Sequence, residues 1–301
     1  MISTQRVYIL LVLCVLFWSG NFILGRFLNT QIEPLELAFF RWLFVICFSI
    51  PILFFVDIKK ILKIVKENFL FLSILSFLGI TLFNTVLYIA LQTTTATNAL
   101  LINSIIPILI LVFSFFILKT QITLIQTIGI ILSTFGVVFL VLKGNLLNIS
   151  NIEFSKGDLW VIISSITWAT YSTIVKLKPK GLSHLEFFVV IVFLGYLFLL
   201  PWYFFQGYSL ERELFILKEN WYFFIYVSVF ASLLSFYFWH IGIDEIGADK
   251  TGQFTHLMPI FGSTLAFIFL GEKLELFHLI GALFIAFGIY LSLFIKSRKY
   301  E

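Results

Sequence analysis

The chain has 301 residues, of which 60 % are hydrophobic and 12 % charged, with mean hydropathy +1.06 and net charge +4. Soluble domains carry about 45–50 % apolar and about 25 % charged residues, so this composition excludes an ordinary water-soluble domain and makes the bilayer the solvent. The modest positive balance, held mostly between apolar segments, fits membrane orientation and argues against a nucleic-acid partner.

A bilayer core takes about 20 apolar residues per helix. Ten such segments follow in order, at about 7–28, 35–56, 69–91, 97–118, 123–142, 158–177, 184–205, 221–242, 248–270 and 275–295. Polar groups at membrane depth are costly and mark the bundle interior. The first segment carries Trp18, Asn21 and Gly25 on one helical face, read equally as a packing seam or a cavity lining. It lacks a small-residue cleavage site and its apolar run is too long for a leader, so it is expected to be a span. Cys14 in this segment and Cys47 in the second are expected to be small core residues, neither a disulfide nor a metal pair.

The second segment opens at Glu33-Pro34. It carries Glu36, read as a headgroup-level residue, and Arg41, one to two turns deeper, a fixed cation suited to an anionic substrate group. Between it and the third, Ile58, Ile61, Leu62 and Val65 recur at helical spacing among lysines, so 57–68 is expected to lie along the cytoplasmic leaflet. The third segment places Asn84 and Tyr88 on one face. The fourth has Asn98, Asn103 and Ser104 ahead of Pro107.

The sixth segment carries Trp168 and Tyr171, and the eighth Phe236, Trp239 and His240. The ninth has Gln253, Thr255 and His256 ahead of Pro259. Proline removes a backbone donor and frees an upstream carbonyl, tolerated in a membrane only where protein or a wet cavity satisfies it. Asp244, Glu245 and Asp249 read as a solvated turn. His240 and His256 lack ligand spacing with any cysteine or carboxylate, so no metal is expected; each reads as a satisfied interior histidine, with proton coupling as the functional alternative.

The chain repeats itself. Pro107 and Pro259 are 152 residues apart, as are Leu118 and Leu270, Gly129 and Gly281, and Gly136 and Gly288; Trp18 with Trp168 and Glu36 with Glu186 are 150 apart. The expected architecture is therefore an all-α membrane protein of ten transmembrane helices in two five-helix repeats, 1–148 and 149–301. Five is odd, so the repeats are inverted. With the N-terminus inside, twelve Lys and Arg fall on the cytoplasmic side, Lys296, Arg298 and Lys299 among them, against five outside, favouring both termini in the cytoplasm. Glycines seven apart at 129, 136, 281 and 288 imply close helix packing, within one subunit or between two; the oligomeric state is open.

With these residues in hand, the chain resembles the EamA-type members of the drug/metabolite transporter superfamily over nearly its whole length. The stretches that carry the likeness are Trp18-Ser19-Gly20-Asn21-Phe22, Pro34 with Phe40-Arg41-Trp42, Tyr88-Ile89-Ala90-Leu91, Ala96-Thr97-Asn98-Ala99, Pro107, Pro259, and Leu270-Gly271-Glu272-Lys273. Leu118-Lys119-Thr120 departs from the family's usual Gly-Glu turn, and the counterpart of Arg41 is Ile191, so the site need not be symmetric. The resemblance implies a cytoplasmic (inner) membrane carrier that rocks its halves around a central cavity and exports amino acids or other small metabolites, some members being proton-coupled.

The expected function is thus secondary transport without catalysis or cofactor. Asn21, Arg41, Asn84, Tyr88, Asn103, Trp168, Tyr171, Trp239, His240, Gln253 and His256 are expected around the cavity, and Pro107 and Pro259 at broken helices. Neither a phosphate-binding loop nor a nucleophile paired with either histidine stands out, which disfavours an ATP-driven pump and an intramembrane enzyme. A ligand-sensing membrane protein without net flux is the other alternative.

Overall fold

The computed structural model describes residues 3–28, 32–270 and 273–294, all helix and connection with no strand among them. Helices dominate because a bilayer offers no partner to an unpaired backbone group. In order they are α1 (Thr4–Leu28), α2 (Pro34–Ser49), α3 (Ile58–Glu67), α4 (Phe69–Ser76), α5 (Phe83–Leu91), α6 (Ala96–Asn103), α7 (Ile106–Leu118) and α8 (Leu124–Val141) in the first half. The second half has α9 (Lys156–Ile174), α10 (His184–Phe205), α11 (Leu210–Ser228), α12 (Ser235–Ile246), α13 (Ala248–Gly252), α14 (Met258–Leu270) and α15 (Leu276–Phe294). The Arg26 side chain, Gly271-Glu272 of the expected turn, and Lys296, Arg298 and Lys299 lie outside what is described.

Eight helical stretches among the described residues are long and apolar enough to cross a membrane. The expected spans 158–177 and 248–270 fall on α9 and α13–α14, which are helical but rich in Ser and Thr or broken. The expected 221–242 span belongs to a longer stretch, Leu210–Ile246, bent at Asn220, whose φ/ψ of −122°/17° leave the helical region.

The repeat governs local geometry as well as sequence. Asp57 caps α3 and Ser209 caps α11; Asn68 at φ −123° ends α3 as Asn220 bends α11. One π-helical turn joins α4 to α5 over Phe77–Leu82, and another joins α11 to α12 over Val229–Leu234. α7 starts at Ile106 and α14 at Met258, each with proline second. Every one of these pairs is 152 residues apart. α2 and α10 both open with a capping box, Glu33 with Glu36 and Ser183 with Glu186, 150 apart.

The halves meet tightly along α8 and α15. A Cβ on Gly129 would lie 2.5 Å from the Gly288 carbonyl, and one on Gly136 would lie 2.9 Å from the Gly281 carbonyl. The register is reversed, so the two helices run antiparallel, and each glycine meets the partner of the other, as a two-fold contact requires. The glycine packing anticipated from sequence is therefore within one chain. Cys14 is buried as expected; Cys47 is instead exposed on the outside of the bundle, where its helix faces away from the core.

Candidate functional site

A cavity of about 40 Å³ lies where the two halves meet, enough for a few waters and no more. Trp18 and Asn21 on α1, Arg41 on α2, Phe83, Asn84 and Leu87 on α5, and Asn103 and Ile106 at the α6–α7 break line it from the first half. Trp168, Phe236, Thr255 and Met258 face them from the second.

Arg41 dominates its chemistry. The side chain is 1 % exposed and makes four hydrogen bonds. Nη1 donates to Asn84 Oδ1 at 2.9 Å and to the Tyr88 hydroxyl oxygen at 2.8 Å, Nε to Ser232 Oγ at 2.7 Å, and Nη2 to the Ala231 carbonyl at 3.0 Å. Tyr88 passes the chain on, donating to Asn21 Oδ1 at 3.4 Å. All four acceptors are neutral, and no carboxylate pairs with Arg41 among the described residues. An isolated guanidinium at this depth carries a desolvation penalty that neutral dipoles meet only in part.

The π-helical turn at Val229–Leu234 is what reaches Arg41. A π turn shifts the backbone register by one residue and turns carbonyls away from the regular ladder. The Ala231 carbonyl accepts from both Arg41 and Trp18 Nε1, at 3.0 Å each, and Ser228 Oγ donates to the Arg41 carbonyl at 2.9 Å. Sequence reading missed Ala231 and Ser232; a polar serine 152 residues from Ile80 in a segment otherwise free of helix breakers is the only signal there.

Aromatic rings form the opposite wall. Trp168 stacks on Phe83 at 4.5 Å and meets its own repeat counterpart, Trp18, edge-on at 5.2 Å. Trp239 packs behind them, its Nε1 donating to Ser172 Oγ at 3.1 Å. Asn103 accepts from Ser165 Oγ at 2.8 Å and borders a second cavity, of about 20 Å³, shared with His256 and Pro259.

His256 Nε2 donates to the Ser104 carbonyl at 3.0 Å, across the break ahead of Pro107, and Nδ1 faces Ser133 Oγ at 2.8 Å. Ser104 and His256 are counterparts 152 apart, so this contact and the Trp18–Trp168 contact both sit where the two repeats exchange. Tyr171, His240 and Gln253 stand away from the cavity. Tyr171 OH lies 2.6 Å from His240 Nε2, within an aromatic box of Phe187, Phe188 and Phe236, and His240 Nδ1 has no hydrogen-bond partner. Gln253 Nε2 reaches the Asp249 carbonyl at 3.5 Å, and its Oε1 is unpartnered.

Two acidic residues near helix ends are buried against protein. Glu36 is fully buried, gripped by Arg212 through Nε at 2.8 Å and Nη2 at 2.9 Å. Tyr208 donates to Glu33 at 2.9 Å beside it, and burial followed by that carboxylate raises the phenol well above its ordinary pKa, so it stays a donor. This network ties α2 to α11 across the halves and leaves Glu36 buried against protein. Asp249 is likewise buried, accepting from Gln126 Nε2 at 2.6 Å across the halves, whereas Asp244 pairs with Lys178 and His184 within the second half. Asp158, overlooked in the sequence, accepts from Thr94, from Asn98 Nδ2 at 3.2 Å and from the Ser155 backbone at 2.7 Å. No group of three His, Cys, Asp or Glu suited to a metal occurs among the described residues.

Comparison with known proteins bears on this arrangement. The EamA-like transporter family model matches twice, over residues 5–142 and 155–294. The uncharacterized transporter YetK of Bacillus subtilis is 26 % identical over 291 residues, covering 97 % of this chain and 88 % of that protein. An uncharacterized transporter of Archaeoglobus fulgidus is 26 % identical over 288 residues, covering 96 % and 97 %. A crystal structure superposes with a TM-score of 0.74 over 96 % of this chain and 97 % of that one at 15 % identity, a likeness of fold alone. Two matches of one family model, together spanning most of the chain, make it a multi-pass membrane protein of the EamA-like transporter family.

Proposed function

We propose that the chain is a secondary transporter, an exporter of small organic metabolites with amino acids as the leading class. In this reading it has ten spans in two inverted repeats, 1–148 and 149–301, in the cytoplasmic membrane, with both termini in the cytoplasm. The antiparallel, crossed glycine contact of α8 with α15 supports the inversion, since a two-fold axis perpendicular to membrane-crossing helices lies in the membrane plane. The small cavity between the halves would be the central site of an alternating-access cycle.

The observation that carries the substrate class is Arg41, a buried cation on the cavity wall with only neutral partners. Its Nη2 carries a second N–H for a ligand, and a substrate carboxylate would complete its charge. Asn21, Asn84 and Asn103 would bind an ammonium or hydroxyl, and Trp18 and Trp168 would pack on an apolar side chain. His256, buried and hydrogen-bonded at the edge of the second cavity, would serve coupled proton movement, with the buried Tyr171–His240 pair farther from the cavity as the other candidate.

Counterflow in proteoliposomes tests the reading. Vesicles preloaded with an unlabelled amino-acid mixture are offered single labelled amino acids, with and without a pH gradient. Transient accumulation of one label above empty vesicles establishes a carrier and its substrate. No accumulation with folded protein, joined by saturable binding of the same compound, would favour a sensor.

A further inference from the structure

A larger void, of about 540 Å³, opens on the flank of the bundle between α2, α10 and the roof formed by α3. Ile58, Ile61, Leu62 and Val65 of α3 line it at i, i+3, i+4 and i+7, and the rest is aliphatic and aromatic except for Ser49. Ser49 is 3 % exposed, and its hydroxyl has no hydrogen-bond partner. Lys59, Lys63 and Lys66, spaced i, i+4 and i+7, are exposed along the edge of that apolar face. An amphipathic helix on a flat membrane buries its apolar face among loose acyl chains. Here that face roofs a concave cleft between two spans, with a polar group left unpaired inside.

The other repeat supplies a comparison. The equivalent stretch of α11, 210–219, carries Glu211, Glu213 and Glu219 against Arg212 and Lys218, and its neighbouring void includes Arg212, Glu219 and Asn220. The repeat preserves the helix but not the cationic edge or the apolar cleft. These two features therefore go together, and they match one kind of molecule: a long apolar chain ending in an anion.

We infer that this groove binds an anionic phospholipid. One acyl chain fills the cleft, Lys59, Lys63 and Lys66 engage the phosphate-bearing headgroup, and the Ser49 hydroxyl donates to an ester carbonyl. The site is separate from the cavity at Arg41 and does not depend on what that cavity carries.

The test uses the full chain in detergent with equimolar dioleoyl phosphatidylglycerol and dioleoyl phosphatidylcholine, and reads bound lipid by native mass spectrometry. The expected result is one phosphatidylglycerol retained in preference to phosphatidylcholine by at least about tenfold. Each lysine near a headgroup contributes about fivefold, so K59Q/K63Q/K66Q weakens retention on the order of 100-fold. K63Q alone, at an exposed position that leaves folding intact, weakens it about fivefold. L53W fills the groove mouth and removes the lipid, whereas K218Q on the equivalent helix changes nothing. Equal retention of the two lipids, an unchanged preference in the lysine variants, or a lipid still held in L53W overturns the inference. Displacement by glycerol phosphate alone would also overturn it, since the chain would then contribute nothing.

Discussion

Replacing Arg41 with glutamine removes the charge while keeping an amide that can still donate. Two opposite unit charges about 4 Å apart at an effective dielectric near 20 interact by about 4 kcal/mol. A single charged hydrogen bond contributes about 1.5–3 kcal/mol net. An anionic substrate held by Arg41 should therefore lose roughly 10²–10³-fold in apparent affinity. The same change strands acceptors at Asn84 and Ser232, each worth about 1–3 kcal/mol if unmet, whereas the Ala231 carbonyl keeps Trp18. Folding must therefore be followed in parallel, by thermal unfolding in detergent. The assay is counterflow of a labelled amino acid competed by the same compound or by its carboxamide. The native protein should prefer the carboxylate by at least about 10², and R41Q should lose that preference while remaining folded. A folded R41Q that still discriminates the carboxylate from the carboxamide would refute the assignment, because no other cation lines the cavity among the described residues.

Gly288→Leu should lower the melting temperature sharply, since its Cβ would lie 2.5 Å from backbone atoms of Gly129 and Ser133, which cannot move aside; overpacking of a tight interface costs about 1–3 kcal/mol or more. Gly262→Ala, in a helix with nothing within 4 Å of the new Cβ, should be neutral or slightly stabilising. R212Q should destabilise more than E36Q in thermal unfolding, because Glu36 is fully buried while the Arg212 side chain is 42 % exposed. Stranding the buried partner costs about 3–5 kcal/mol, and equal effects would show that the pair is not closing a dry interface. Asn103→Cys in a Cys14→Ser/Cys47→Ser background should react with an impermeant maleimide faster in inside-out than in right-side-out vesicles, and R212Q should narrow that difference; faster labelling from outside would reverse the expected resting preference.

The architecture was legible because 60 % apolar composition leaves polar residues conspicuous and because Pro107 and Pro259 fix one spacing. That spacing then recurs in caps, bends and π turns. Arg41, Asn84 and Tyr88 were recognisable as interior groups, since membrane depth makes each costly on a lipid face. Their mutual bonding was not, because it depends on Ala231 and Ser232 arriving from the other half on a π turn that local propensity does not announce. Likewise Glu36 and Asp249 look superficial near helix ends, and the partners that hold them, Arg212 and Gln126, arrive from the opposite half. The helical stretch 210–219 was hidden because its pattern runs into the span beyond Asn220. His240 takes the repeat position of Tyr88, 152 residues on, yet it packs among Phe187, Phe188 and Phe236, away from the void.

The polar contacts that join the halves on the two faces are unequal, and the inequality bears on the proposed direction. On the face that holds the start of α2 and the end of α5, two clusters cross between the halves: Glu36 with Arg212, and Asp158 with Thr94 and Asn98. On the opposite face, one such polar contact crosses among the described residues, Gln126 with Asp249. Charge-assisted hydrogen bonds contribute about 1.5–3 kcal/mol each, so separating the first face costs several kcal/mol more than separating the second. In the orientation favoured by the lysine and arginine distribution, the stronger closure is external and the weaker one cytoplasmic. Under the proposed export cycle, the resting carrier would open first to the cytoplasm, where an exporter loads. Substrate must then contribute the differential binding that breaks the outer clusters, because a ligand held equally in both states shifts nothing. A carboxylate on Arg41 is suited to that role: it neutralises the guanidinium, weakens its hold on the Ala231 carbonyl and Ser232, and so loosens the tie between α2 and the π turn next to the Glu36–Arg212 closure.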